Sequence, residues 1–494
     1  MNCLNIFLNI SAISFFSFFI NLKLSHFRLT MLLQLTPRRH ELISVFMMSI
    51  GTTFMFLGYD VQSMMAESVL HSVSTKNPDR ISEYAGYYGQ AIQYISFAFF
   101  SLFTATIQYY ISSKSMLVLS SVLFTTCYIA YIHVNSYIFY SSQLLLGFAY
   151  AMYNSAEGTY LSEHSSRRTI DSNSALETGL GHTSLFFGGV TMLFVFHFVP
   201  HTFDGHFLNF DEHVVQVIYF SLMTLTVVSV VLFTFLPTKQ FDSIALNTQR
   251  VTPSMMAQFK RFGKSFSHLN TSLLIFTYVY MGCMVSFMYG IYPTSLSFTS
   301  ETASDVYIIA LYLLSSGLAA FLSAMFIRPM IKRLHKYKLI VPMAVHCTSM
   351  AIVLFLVYCS VPNQATQRPT SDLANLWITP SRYLSMIIGF LLGFADFTIT
   401  MTRSVICQIA VPDFRAEIFS LTRIYQCVAS CVILFISPYL TVTTWIIILI
   451  VGLLIGIAAM FAVLCRTHNN TIAAPIEPLE EEKDEKFTEE KTFA

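Results

Sequence analysis

The chain has 494 residues, of which 54% are hydrophobic, 15% aromatic and only 11% charged, against roughly 25% charged in an average soluble domain. Its net charge of +1, with no zinc-finger or basic-helix pattern, gives no argument for a nucleic-acid partner. Crossing a hydrocarbon core takes about 20 apolar residues, and stretches of that length recur along almost the whole sequence, so the lipid bilayer is its first partner.

The N-terminal segment, 1–41, holds an apolar stretch from Leu4 to Leu24 that lacks the basic start of a signal peptide. It reads as a thirteenth span, an uncleaved signal-like segment, or an extension upstream of a start at Met31. The last two are favoured, because a further span breaks the pairing of halves set out below. Spans follow near 42–62, 87–110, 115–134, 137–160, 174–199 and 214–236, a first six-helix bundle over 42–236. A linker, 237–270, carries Met255, Phe259, Phe262 and Phe266 at helical spacing beside Lys260, Arg261 and Lys264, the pattern of an amphipathic helix on the inner leaflet. Spans near 271–292, 305–327, 338–360, 383–404, 416–437 and 441–464 form a second bundle over 271–464, and 465–494 reads as an acidic, disordered tail. Backbone groups in hydrocarbon must pair within their own segment, which makes these spans helices.

With both ends inside, the inner loops and span ends hold Arg38, Arg39, Lys114, Arg167, Arg168, Lys239, Arg250, Lys260, Arg261, Lys264, Arg328, Lys332, Arg333, Lys336, Lys338, Arg403, Arg415 and Arg466, which is 18 cations. The outer loops hold 4, namely Lys76, Arg80, Arg368 and Arg382. That asymmetry places both termini in the cytosol. The fold class expected is an all-α membrane protein of twelve transmembrane helices in two pseudo-symmetric halves, the architecture of major facilitator transporters.

A repeat supports the halves. Leu145-Leu146-Gly147-Phe148-Ala149 in the fourth span recurs as Leu391-Leu392-Gly393-Phe394-Ala395 in the tenth, 246 residues later. The same offset pairs Glu157 with Arg403 and Glu177 with Arg423, two carboxylates in one half and two guanidiniums in the other. Charges in or near hydrocarbon need partners, so these four are expected to form a latch between the halves at the inner face. Pairing within each half, or contact with headgroup water, is the blander reading, and an Asp396–Arg423 pair competes for the same arginine.

Polar residues also gather in the spans. Tyr59 and Asp60 in the first, Gln90 and Gln93 in the second, Asn154 in the fourth and Asp396 in the tenth are candidates for lining a central cavity. The blander account, and the preferred one, is that they hydrogen-bond adjacent helices. His197, His201 and His206 sit with Asp204, Asp211 and Glu212 in one outer loop, read as an ordinary hydrated loop in preference to a metal or proton sensor. No hydrolase, zinc-protease or dinucleotide signature is present, so the chain reads as a non-enzyme with no cofactor.

Four motifs carry a resemblance: Gly51-Thr52-Thr53-Phe54-Met55-Phe56, Gly86-Tyr87-Tyr88-Gly89-Gln90-Ala91-Ile92-Gln93-Tyr94, Asn154-Ser155-Ala156-Glu157-Gly158-Thr159-Tyr160-Leu161 and Thr183-Ser184-Leu185-Phe186-Phe187-Gly188. With them the chain resembles the Unc-ninety-three-like family, also called the ion channel regulatory protein family, of the major facilitator superfamily. The likeness covers roughly 40–236, and the second half by architecture. The chain departs from the pattern at Ser112-Ser113-Lys114-Ser115, which replaces both the family's usual loop and the Asp-Arg-x-Gly-Arg signature of ion-coupled transporters, and at Tyr153, where tryptophan is usual. The resemblance implies a transporter fold used as an accessory subunit of a potassium channel, or as an escort for membrane receptors. The alternative is a secondary transporter of a small solute. A vestibule lined by Asp60, Gln93 and Glu157 would favour transport, and a collapsed gap the accessory role.

Overall fold

In a computed structural model of the chain, the described residues are 36–166, 168–198, 202–203, 208–239, 255–333, 339–373, 376–411 and 414–473. The apolar stretch from Leu4 to Leu24 and the acidic run around Glu480 to Glu490 lie outside them.

The elements in chain order are α1 (Pro37–Lys76), α2 (Ala85–Ser101), α3 (Thr104–Tyr110), α4 (Ser113–Cys127), α5 (Ile129–Ile132), α6 (Ser136–Glu163), α7 (Ile170–Gly181), α8 (Thr183–Phe198), α9 (Glu212–Thr234) and α10 (Met255–Phe266). They continue as α11 (Leu269–Ser286), a π-helical turn (Phe287–Ile291), α12 (Tyr292–Phe298), α13 (Ser300–Ala303), α14 (Ile308–Arg333), α15 (Ile340–Ser360), α16 (Arg382–Ile409), α17 (Arg415–Ile436) and α18 (Val442–Ala473). A two-residue hairpin, Thr202–Phe203 against Leu208–Asn209, is formed just before α9.

Among the described residues, ten helical segments are long and apolar enough to cross a membrane, so the chain is an all-α, multi-pass integral membrane protein. Two further runs, α2–α3 and α6, are not among the ten. The first breaks at Leu102 and Phe103 into short pieces, and the second is diluted by Ser141, Ser142, Gln143, Asn154 and Ser155. Large apolar side chains such as Phe194, Phe355, Phe435, Leu454 and Phe461 stand more than half exposed on the helix exteriors. Lipid tails satisfy these side chains as water would not.

Two helices outrun their expected spans. α1 continues past Gln62 to Lys76 although Ser63, Glu67, Ser68, Ser72 and Ser74 dilute its hydropathy, because those residues are buried against neighbouring helices rather than facing lipid. α18 continues past residue 464 to Ala473. The amphipathic linker helix forms as α10 and is tied to the start of α17, with Arg261 Nε donating to Glu417 Oε1 at 2.5 Å and its guanidinium 5.8 Å from the Phe414 ring.

Close helix contact rests on glycine at a few positions. A side chain on Gly147 of α6 would run into Ser96 and Phe97 of α2, and one on Gly393 of α16 into Ser316 of α14. The repeated motif therefore makes the same kind of contact in both places. Between α8 and α14, Gly189 lies against Ala310 and Leu314 while Gly317 lies against Leu185 and Phe186. Gly158 and Gly179 make no such contact and face open space.

Candidate functional site

A cavity of about 320 Å³ lies at the centre of the bundle. Each wall is a stripe at helical spacing. α1 contributes Thr52, Phe56, Tyr59 and Asp60, and α6 contributes Tyr150, Tyr153, Asn154 and Glu157. α11 and its π turn contribute Met281, Val285 and Tyr289, and α16 contributes Asp396, Thr400 and Arg403. α7 and α8 supply Glu177, Thr178, Gly181, His182, Ser184 and Leu185, α17 supplies Arg423 and Gln426, and α2 supplies Tyr94. Positions i, i+3 or i+4, and i+7 share one helix face, so each helix turns one face inward, polar and aromatic on most of them and largely aliphatic on α11.

The stripes obey the internal repeat. An offset of 246 carries Tyr150, Asn154 and Glu157 onto Asp396, Thr400 and Arg403, and Glu177 onto Arg423. An offset of 229 carries Thr52, Phe56 and Asp60 onto Met281, Val285 and Tyr289.

The cavity reaches toward the cation-rich end of the bundle. Glu157 and Arg403 each stand six residues from the end of their helices there, and Glu177 seven from the start of its own. Asp60, by contrast, is sixteen residues short of Lys76, where α1 ends. The cation-poor end is shut. The Tyr87 hydroxyl donates to the Thr366 carbonyl at 2.9 Å, and the His71 and Phe298 rings pack with centroids 4.8 Å apart. Loop ion pairs Lys76–Asp211 at 2.6 Å, Arg80–Glu212 at 3.4 Å and Arg382–Asp305 at 2.8 Å pin the same end. Asp211 and Glu212 of the histidine-rich loop are thus committed to lysine and arginine. His201, Asp204 and His206 lie outside the described residues.

Eight of the ten sequence candidates meet in this cavity: Tyr59, Asp60, Asn154, Glu157, Glu177, Asp396, Arg403 and Arg423. Gln90 and Gln93 do not line it. Gln90 Nε2 donates to the Ser63 carbonyl at 2.8 Å and Gln93 Nε2 to the Tyr59 hydroxyl at 2.7 Å, so both bind α2 to α1 behind the wall. Glu67, which the sequence did not single out, belongs to the same seam. It is 1% exposed, and its Oε2 accepts from the Tyr87 N–H at 2.9 Å at the start of α2. A carboxylate is well placed there, since the first amides of a helix lack partners and carry partial positive charge. Gly86 lets this approach happen, because a Cβ there would sit 2.5 Å from the Glu67 backbone.

Hydrogen bonds fix the cavity walls. The Ser184 hydroxyl donates to Asp60 Oδ2 at 2.7 Å, and Thr52 and Tyr153 share a hydrogen bond of 2.7 Å. The Thr53 hydroxyl donates to the Leu180 carbonyl at 3.0 Å, which ties α1 to α7. Glu157 and Glu177 both line the cavity, near enough to act on one another electrostatically. Arg403 Nη1 donates to Gln426 Oε1 at 3.2 Å, and Arg423 Nη2 lies 3.4 Å from Asn154 Oδ1. Among the described residues, no ion pair joins Glu157, Glu177 or Asp396 to either arginine. A larger hollow of about 540 Å³ between α15 and α18 is lined by apolar residues such as Phe355, Ile447 and Leu454, and it opens to the lipid.

Comparison with known proteins places this geometry in a lineage. The family model for "Ion channel regulatory protein UNC-93" matches residues 77–461. The match enters the second half, where the sequence offered architecture but no motif. "UNC93-like protein MFSD11" of Xenopus laevis is 23% identical over 449 residues, covering 87% of this chain and 97% of the relative. Its Xenopus tropicalis counterpart is 24% identical over 453 residues, with the same shares. Among solved structures, the nucleoside transporter NupG superposes with a TM-score of 0.56 at 14% identity, covering 85% of this chain and 98% of that one, a likeness of fold.

Proposed function

The chain belongs to the UNC-93 family of ion channel regulatory proteins, within the major facilitator superfamily, and from that premise we propose that it is a secondary transporter moving a small solute by alternating access. Family membership makes it a membrane protein and not an enzyme. The observation that carries the reading is the central cavity, whose volume of about 320 Å³ falls at the lower end of the range for small-molecule sites. Its lining of carboxylates, guanidiniums and tyrosines is suited to a polar solute. An accessory subunit of a channel, or an escort for a receptor, would work through its outward helix faces and has no use for such a hollow.

The architecture in this reading is twelve spans in two six-helix halves, 42–236 and 271–464, joined by 237–270, with the cation-rich end cytosolic. Support comes from the lining stripes, which coincide under one offset for the fourth and tenth spans and another for the first and seventh. The conformation is then open to the cytosol. When the halves rock the other way, Glu157 and Glu177 meet Arg403 and Arg423 and close that end. The latch is not formed in this conformation: Arg423 reaches Asn154 and Arg403 reaches Gln426, and among the described residues no ion pair joins either arginine to Glu157 or Glu177.

Reconstitution of the purified chain alone into proteoliposomes tests the proposal, with counterflow of a labelled pool of small polar metabolites. Uptake of at least one solute is expected, lowered tenfold or more by Asp60→Asn. Absence of uptake, together with a membrane protein that co-purifies at fixed stoichiometry, would overturn transport in favour of the accessory role.

A further inference from the structure

We propose that Arg403 and Arg423 together form the seat for an oxyanion, so that the solute is a small planar acid carrying a carboxylate or a phosphate monoester. The inference rests on the transport reading for its purpose, but the site itself stands on the geometry of two guanidiniums. They project from adjacent helices, α16 and α17, into one cavity, close enough to repel each other. Among the described residues, each has only a neutral amide oxygen for a hydrogen-bond partner, Gln426 at 3.2 Å and Asn154 at 3.4 Å. Two like charges held at membrane depth without a contact ion pair are costly, and such groups mark binding sites or ion pathways.

The cavity's own carboxylates do not discharge them. Asp60 accepts from Ser184, and among the described residues neither Glu157 nor Glu177 forms an ion pair with an arginine. Asp396 lies within electrostatic range of both arginines without forming an ion pair with either. Guanidinium presents a planar fork of donors that matches two oxygens of a carboxylate or phosphate, a geometry an ammonium cannot offer. Tyr94, Tyr150 and Tyr289 line the same cavity as the two arginines, so aromatic surface shares the chamber with the charged pair. A ring attached to the oxyanion stacks there. In the empty, closed carrier Glu157 and Glu177 neutralise the arginines, and with solute bound its oxyanion does so instead.

Equilibrium binding to the full chain in phosphatidylcholine nanodiscs tests the site without requiring flux. The probes are benzoate, phenyl phosphate, benzyl alcohol and benzylamine, read by thermal shift and calorimetry. At least one of the two acids is expected to bind, and at least tenfold tighter than the neutral and cationic compounds of the same ring. Arg403→Gln and Arg423→Gln are each expected to weaken it tenfold or more, with partial rescue by Arg423→Lys. Equal binding of all four compounds to the wild-type protein would overturn the seat, whether or not the variants fold. So would acid binding that survives both substitutions. Displacement by dihexanoyl phosphatidic acid, with neither soluble acid bound, would assign the arginines to a lipid headgroup and overturn the solute reading. Acid binding without flux leaves the seat standing and removes transport. Flux that depends on neither arginine removes the seat and leaves transport.

Discussion

At the cation-poor end of the bundle, inside a rim of ion pairs, α1 and α2 touch the later elements through a neutral hydrogen bond and a tilted ring contact, whereas at the cation-rich end the helices face each other across charged side chains that have not met. Tyr87 with Thr366 and His71 with Phe298 are contacts of modest strength that need no desolvation of charge. Glu157, Glu177, Arg403 and Arg423 are the opposite case: joining them exchanges water for an ion pair, and the balance is close. A carrier needs its two ends to close with similar free energy, since a strong bias toward either state traps it. A neutral contact across one end, with the ion pairs confined to its rim, and offset charge across the other is one way to reach that balance.

The largest expected effect comes from reversing a charge at the open end. Arg423→Glu places a third carboxylate beside Glu157 and Glu177 and should disfavour closure there by about 3 kcal/mol, roughly a hundredfold in population. Accessibility of a cysteine at position 158 to a soluble maleimide should rise accordingly, and Glu177→Arg in the same chain should bring it back toward the wild-type level. A double reversal that restores nothing would break the latch.

Next comes the seam beneath the closed end. A methyl at Gly86 meets the Glu67 backbone at 2.5 Å, and such overpacking costs about 1–3 kcal/mol. Gly86→Ala is expected to lower the unfolding midpoint in detergent, and an unchanged midpoint would show that α1 and α2 are loosely joined. Smaller still is Tyr87→Phe, which removes one hydrogen bond, worth about 1 kcal/mol. It should raise labelling of residues at the cation-poor end about fivefold. Gly158→Ala meets open space, so it should change the midpoint by no more than the helical gain of roughly 0.5–1 kcal/mol.

Much of the bundle is legible in the amino-acid sequence because lipid imposes a simple rule, and each span's core coincides with a helix. What hydropathy could not reveal is the second half of α1, where polar residues from Ser63 to Ser74 are buried by neighbouring helices and so do not register as a span. The cavity was partly legible as well. Asp60, Asn154, Glu157, Glu177, Asp396, Arg403 and Arg423 stand out as polar groups in apolar runs, but Thr52, Tyr94, Tyr150, His182, Tyr289 and Gln426 do not. For Thr52, Tyr150 and Tyr289 a signal was present in the helical stripes and in the offsets of 246 and 229, which carry them onto or from other lining positions; Tyr94, His182 and Gln426 have no such counterpart. Gln90 and Gln93 mislead for a physical reason: spacing puts both on one face of α2, but α2 is packed by protein on several sides. Only the structure distinguishes the face toward α1 from the face toward the cavity.

The most direct test of alternation is a pair of spin-label distances in nanodiscs, one across the cation-rich end between positions 158 and 401 and one across the cation-poor end between positions 83 and 368. Alternating access predicts two populations in which the first distance shortens as the second lengthens, with the balance moved by a transported solute. A single fixed distance at each end, unmoved by any solute in the pool, would contradict it.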